Sequence, residues 1–232
     1  MMLVAVLMLV AIWLLLTRTR IGLVIQAALT HAETVEALGH NVPRVFMLVF
    51  GAGAVGLGVL ANLKANGVDE VIVSDIIPSK LEVVRQMGGI PVNGMEVDPI
   101  EFAKEKFGTV ANFLGEQRPD VDLYFDSAGA PTAIPDYLRG GKAGSRMVVL
   151  ALTPRPIEAP QTQFVLSELT MIGSTAYDND DIAQVVSYLG DEKYDPTPVV
   201  THHFPQEDVV EAFRTVIEKK DEVIKVVIDV HP

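Results

Sequence analysis

Residues 51–56 read Gly-Ala-Gly-Ala-Val-Gly, directly after the apolar run VFMLVF and directly before a stretch suited to a helix. This G-x-G-x-x-G spacing lets a strand turn at once into a helix. The first N–H groups of that helix have no intrahelical partners and can face a pyrophosphate. Gly51 would make the tight turn, Gly53 would let the backbone approach the phosphates, and Gly56 would let helix and strand pack closely. Ala54 and Val55 lie inside the same run and join the cofactor-facing set. Asp75 stands roughly 20 residues past the last glycine, at the end of the next β-rich run. A carboxylate there accepts both ribose hydroxyls and repels a 2′-phosphate, so the expected cofactor is NAD rather than NADP. Ile76 follows, where an NADP site often carries a basic residue. The alternative is a glycine-rich turn without ligand and a merely solvated Asp75; the strand-before, helix-after context argues against it.

Positioning these residues requires a particular set of elements. A strand over residues 45–50 and a helix over 57–66, closed by Gly67, bracket the glycine run. A second strand covers 71–74, a helix beginning near Pro78 runs to 87, and a weak third strand is expected at 91–92. A long amphipathic stretch over 99–117 leads to a fourth strand at 121–125, a fifth at 146–150 and a sixth at 169–172. Helices are expected at 131–138, 180–189 and 206–219, and a strand at 223–230. The expected fold class is therefore α/β, a Rossmann doubly wound parallel six-stranded sheet, preceded by an apolar N-terminal helix.

Charge and composition narrow the function. The chain carries 18 basic and 30 acidic side chains, for a net charge of -12, and no cysteine. That excludes disulfide scaffolds, cysteine-ligated zinc and thiol nucleophiles, and the acidity argues against nucleic-acid partners. The only charged residues before position 51 are Arg18, Arg20, Glu33, Glu36 and Arg44, so the acidity belongs to the larger part. Two domains are expected, 1–44 and 45–232.

Residues 46–230 resemble the cofactor-binding half of the medium-chain, zinc-type alcohol dehydrogenases, nearest the polyol, butanediol and threonine dehydrogenase branch. The carrying text is VFGAGAVGLGVLANLKANG, VIVSDIIPSKLEVVRQMGG, DLYFDSAG, SRMVVLAL, LTMIGSTAY and VVEAFRTVIEKKDEVIKVVIDV. The resemblance implies NAD-linked oxidation of a secondary alcohol or polyol. It implies further that Lys80 lies along the adenosine ribose, and that Ser127, Ala128, Gly129, Leu150, Ala151 and Leu152 line the nicotinamide side. For Lys80 a solvated helix-start lysine is the plainer alternative. It also implies a homodimer through the sixth strand edge, with Met171, Ile172 and Gly173 at the seam.

The zinc-type enzymes begin with a β-rich catalytic domain that supplies the zinc ligands, and residues 1–45 do not match it. The histidines offer no substitute: His31 and His40 precede the Rossmann text, His231 is penultimate, and His202 and His203 adjoin in an expected strand where neighbours face opposite ways. No tyrosine has a lysine four residues on, so no proton-relay pair is available. The expectation is a dinucleotide-binding module with no catalytic residue and no metal, inactive by itself.

Residues 1–16 are apolar and uncharged, and Arg18 and Arg20 close the run. Such a run fits a membrane segment, somewhat shorter than a full span, with the chain beyond Arg20 held in the cytoplasm; the alternative is a buried core helix, which normally shows a polar face that this run lacks. Residues 3–50 resemble the permease of branched-chain amino-acid ABC transporters, carried by TRTRIGLVIQAALTHAETVEALGHNVPRVFMLVFGAG. Both families can write V-F-G-A-G-A at the same point, so a chimeric reading frame joined there is the simplest expectation; the alternative is an N-terminal extension that packs on the Rossmann domain. The alternative function is a membrane-anchored fusion acting as a nucleotide-binding or interaction module at the inner membrane face.

Overall fold

A computed structural model describes residues 45–153, 156–191, 195 and 197–230, which belong to one compact unit beginning at Val45. The expected apolar helix over residues 1–16 and the rest of the 1–44 domain lie outside the described residues. Among the described residues, no helix is long and apolar enough to cross a membrane.

Strands β1 (Met47–Phe50), β2 (Val71–Asp75), β3 (Ile90–Asn93), β6 (Leu123–Asp126), β7 (Arg146–Val149) and β8 (Thr170–Gly173) form one sheet in the order β3-β2-β1-β6-β7-β8. All five pairings are parallel. This is the 3-2-1-4-5-6 Rossmann order, with β1 at the centre, where strand order reverses. Period-2 alternation explains why β1 had to be apolar throughout. Leu48 and Phe50 enter a core shared with Ile72, Tyr124, Tyr137 and Met147. Met47 and Val49 enter the opposite core with Val71, Val73, Leu57 and Leu60.

The connecting helices follow local chemistry. Helix α1 (Ala54–Ala65) ends where Gly67 takes φ 78°, and α2 (Pro78–Gln86) starts on a proline that has no N–H to leave unpaired. Helix α3 (Pro99–Phe107) is capped by Asp98, whose Oδ1 accepts from the N–H of Ile100 at 2.8 Å. Helices α4 (Ala133–Gly140), α5 (Gln161–Ser167), α6 (Asn179–Gly190) and α7 (Val209–Glu218) complete the set. Asp178 and Asp181 form a reciprocal cap at the start of α6.

A short hairpin and one helix were not expected from the sequence. The amphipathic stretch over 99–117 is not one helix. Gly108 adopts φ 83°, ending α3, and β4 (Thr109–Ala111) turns back antiparallel on β5 (Gln117–Pro119). Strands β9 (Val200–Pro205) and β10 (Lys225–Asp229) lie outside the main sheet and pair parallel with each other around α7. Helix α5 was not expected, since its seven residues show no strong apolar period.

Tyr137 ties α4 to the far half of the sheet. It is fully buried, and its hydroxyl donates to the carbonyl of Ser145 at 2.9 Å and accepts from the N–H of Thr170 at 3.2 Å. Replacing it by Phe in Tyr137→Phe should cost about 1 kcal/mol of unfolding free energy in urea titration. An unchanged midpoint would show that the hydroxyl carries no stability.

Candidate functional site

The glycine turn sits at the carboxyl end of β1, between the ends of β2 and β6, at the point where open α/β sheets receive ligands. Gly51 adopts φ +101°, a conformation that favours glycine, and its N–H donates to the Ser74 carbonyl at 2.7 Å. A Cβ on Gly56 would lie 1.9 Å from the Gly51 carbonyl oxygen, so α1 and the turn approach too closely for any side chain there. Gly53 differs: a Cβ there would meet nothing within 4 Å. Gly53 is the N-cap of α1 without a side-chain cap, and the first turn, which holds Ala54, Val55 and Gly56, has no acidic residue. An uncapped helix end facing open space is suited to a phosphate.

Asp75 closes β2 beside this turn. Its Oδ2 accepts from the N–H of Ala52 at 2.7 Å, and its Oδ1 accepts from Ile76 at 2.7 Å and Ile77 at 3.0 Å. Both lone pairs of Oδ1 are thereby used, while Oδ2 keeps one that can still receive a ribose hydroxyl. Across the turn, the Ser127 hydroxyl reaches the carbonyls of Phe50 at 2.8 Å and Gly51 at 3.1 Å. Asp126, only 1% exposed, turns the chain there: its Oδ1 accepts from Ala128 at 3.1 Å and Gly129 at 2.8 Å. The backbone N–H groups of Leu150 and Ala151 donate to the Asp126 carbonyl at 2.9 and 3.0 Å. Gly129 at φ +63° then packs beside Leu152, whose carbonyl oxygen would stand 2.9 Å from a Cβ on Gly129.

A cavity of about 530 Å³ opens beside the turn. Of the residues expected from sequence, Gly51, Asp75, Ile76 and Ala128 line it. Gly53, Ala54, Val55 and Gly56 form the adjoining helix end, and Ser127, Gly129, Leu150, Ala151 and Leu152 gather at the ends of β6 and β7. Lys80 lies in the first turn of α2 and does not line the cavity. The wall built by Glu96, Asp98, Asp136 and Arg139 was not expected from the sequence. The Asp98-Pro99 helix start was the one signal that could have found part of it.

That wall is electrostatically organised. Arg139 Nη2 stands 2.7 Å from both Asp98 oxygens, and its Nε donates to Asp136 at 3.0 Å. Burial works to raise the Asp98 carboxyl, but Arg139 and the N–H groups of Ile100 and Glu101 outweigh it and hold it below the ordinary range. Its contribution to stability is therefore present above the ordinary aspartate value and lost as pH falls through the lowered one. With Asp75 and Glu96 also on the lining, Arg139 faces an excess of carboxylates.

The zinc-binding dehydrogenase family matches residues 54–190. The chain belongs to that family. Sorbitol dehydrogenase of Rattus norvegicus is 30% identical over 197 residues, covering 84% of this chain and 51% of the relative. Sorbitol dehydrogenase 1 of Saccharomyces cerevisiae is 28% identical over 182 residues, covering 78% and 50%. The chain thus spans about half the length of the curated relatives it matches. Among solved structures, 2R,3R-butanediol dehydrogenase of Bacillus subtilis superposes with a TM-score of 0.69 at 22% identity, covering 84% of this chain and 54% of that one. A short chain alcohol dehydrogenase of Escherichia coli CFT073, complexed with NADH, gives 0.70 at 24% identity, covering 81% and 52%. These two show the shared fold. The permease component of branched-chain amino-acid transport systems matches residues 1–83. The described part of that match, from residue 45 onward, forms β1, α1, β2 and most of α2 of the Rossmann sheet.

The zinc that the family name implies finds no set of ligands among the described residues. The sequence holds no cysteine, and no cluster of three His, Cys, Asp or Glu side chains suited to a metal exists among the described residues. His202 stacks on Phe204 and His203 Nδ1 faces Asp229 at 3.4 Å; His31, His40 and His231 lie outside the described residues.

Burial pushes the Asp126 carboxyl above the ordinary aspartate range, against the pull of the Gly129 and Ala128 N–H groups. A raised value means that its favourable contribution exists below the ordinary aspartate pKa and is lost as pH rises through the raised one. Asp126→Asn keeps an acceptor for both N–H groups without the charge. Its urea midpoint at pH 7 should equal or exceed that of the unsubstituted chain, with the difference closing in acid; a lower midpoint at pH 7 would contradict this.

Proposed function

We propose that the chain binds NAD(H) through the β1–α1 turn and the adjoining cavity, as the cofactor-binding half of a dehydrogenase acting on secondary alcohols or polyols. The observation that carries this reading is the uncapped α1 N-terminus facing open space at Gly53, with Asp75 bonded to the same turn. The residues fit the cofactor. The helix end would hold the pyrophosphate, Asp75 Oδ2 a ribose hydroxyl, and Ile76 the edge of the adenine side. The excess of carboxylates on the cavity wall supports NAD over NADP, because a 2′-phosphate would add like charge. The cofactor, when bound, supplies hydride transfer; this chain's residues bind and orient it. Without cysteine and without a metal-binding cluster among the described residues, turnover by this chain alone is not expected.

Isothermal titration calorimetry of the full-length chain should show NADH binding with at least about tenfold preference over NADPH, and Asp75→Asn should narrow that preference. Equal affinity for both would overturn the selectivity. Oxidation of sorbitol by the chain alone, with zinc added, would overturn the proposed dependence on further groups.

A second reading rests on the permease match and the uncharged run at residues 1–16: the chain is held at the cytoplasmic membrane face by its N-terminal part. A homodimer through the exposed edge strand β8 is the proposed assembly, with Met171 and Ile172 at the seam. The full chain should pellet with membranes, and detergent extracts should scatter as a dimer that Ile172→Lys converts to monomer. A soluble, monomeric full-length chain would refute both.

A further inference from the structure

The peptide that joins Gly51 to Ala52 is pinned at both ends by side chains from different strands. Its N–H, on Ala52, donates to Asp75 Oδ2 at 2.7 Å, from the end of β2. Its carbonyl, on Gly51, accepts from the Ser127 hydroxyl at 3.1 Å, just past the end of β6. In a trans peptide these two groups point in opposite directions, so the two bonds act on one rigid plane from its two sides. The same carbonyl faces Gly56, where a Cβ would come within 1.9 Å of it. A plane so held has no room to rotate while both side chains stay in place.

We infer that Ser127 is a positioning residue for phosphate binding, acting through the Gly51–Ala52 peptide rather than by contact with the nicotinamide. This rests on the dinucleotide reading above and changes the role expected for Ser127 from resemblance. The hydroxyl has one proton, and the carbonyls of Phe50 at 2.8 Å and Gly51 at 3.1 Å both lie on it. It therefore has no second proton to offer a cofactor amide. Its own N–H is committed to the Phe50 carbonyl at 3.0 Å. Asp126 fixes the backbone that carries it, through the N–H groups of Ala128 and Gly129. Removing the hydroxyl leaves the Gly51 carbonyl without this partner and lets the plane turn, which shifts the helix-end N–H groups from the position a pyrophosphate needs.

The test compares ligand fragments on the full-length chain with Ser127→Ala. ADP carries the pyrophosphate and no nicotinamide, adenosine carries neither, and NADH carries both. Ser127→Ala should weaken ADP and NADH by the same factor, about tenfold for one lost hydrogen bond that orders the turn, and leave adenosine unchanged. Ser127→Cys, with a weaker donor of similar shape, should fall between. Loss of NADH affinity with ADP unchanged would assign Ser127 to the nicotinamide and overturn the inference, as would no change in either. A second readout needs no ligand: amide hydrogen exchange over residues 51–56 should quicken in Ser127→Ala while β7 and β8 stay protected. If the unsubstituted chain binds neither ADP nor NADH, the dinucleotide reading fails, and the exchange measurement still decides whether Ser127 holds the turn; unchanged exchange there overturns the inference.

Discussion

One peptide plane, between Gly51 and Ala52, sets the constraint on which the site depends. It can be held from both sides only if β2 and β6 end level with β1, so that Asp75 and Ser127 reach it from opposite directions. It can take its conformation only with glycine at position 51, and it can meet α1 only with glycine at position 56. Three strand ends, one helix start and two side chains are thereby fixed relative to one another within a few ångströms. Gly53, the position left free of these demands, is the one that faces open space.

The two cores hold those strand ends level. Residues of β1 alternate between them, so sliding β1 by one position would exchange every side chain between two differently shaped interiors. Tyr124 and Tyr137 fill the core on the α3–α4 side with ring centroids 4.9 Å apart, and each hydroxyl bonds a backbone carbonyl. Burial raises both phenol pKa values, so they stay neutral donors across the physiological range.

Much of the fold was legible because its signals are local. A continuous apolar run, a glycine spacing and a β-rich run closed by a carboxylate are each read from neighbouring residues, and β1, α1 and the end of β2 at Asp75 form there. The amphipathic stretch over 99–117 did not reveal where α3 ends, because the positive φ of Gly108 leaves no mark on periodicity. The cavity wall of Glu96, Asp98, Asp136 and Arg139 was illegible for another reason. Asp98 caps α3 and Arg139 lies on α4, and the contact of one Arg139 nitrogen with both Asp98 oxygens exists only once β3, α3 and α4 are packed. Ser127 was placed at the site by resemblance, but its bond to Gly51 is a tertiary contact between residues 76 positions apart. No spacing rule reaches that far.

On the proposed reading, a dinucleotide's phosphates sit on the amides of the glycine turn. Titrating isotope-labelled chain with NADH and following backbone amide resonances tests this most directly. The largest shifts should fall on Gly53, Ala54, Val55 and Gly56, with smaller ones at Ile76 and Gly94 beside Asp75. Shifts absent from the turn, or confined to the α7–β10 side of the chain, would contradict it.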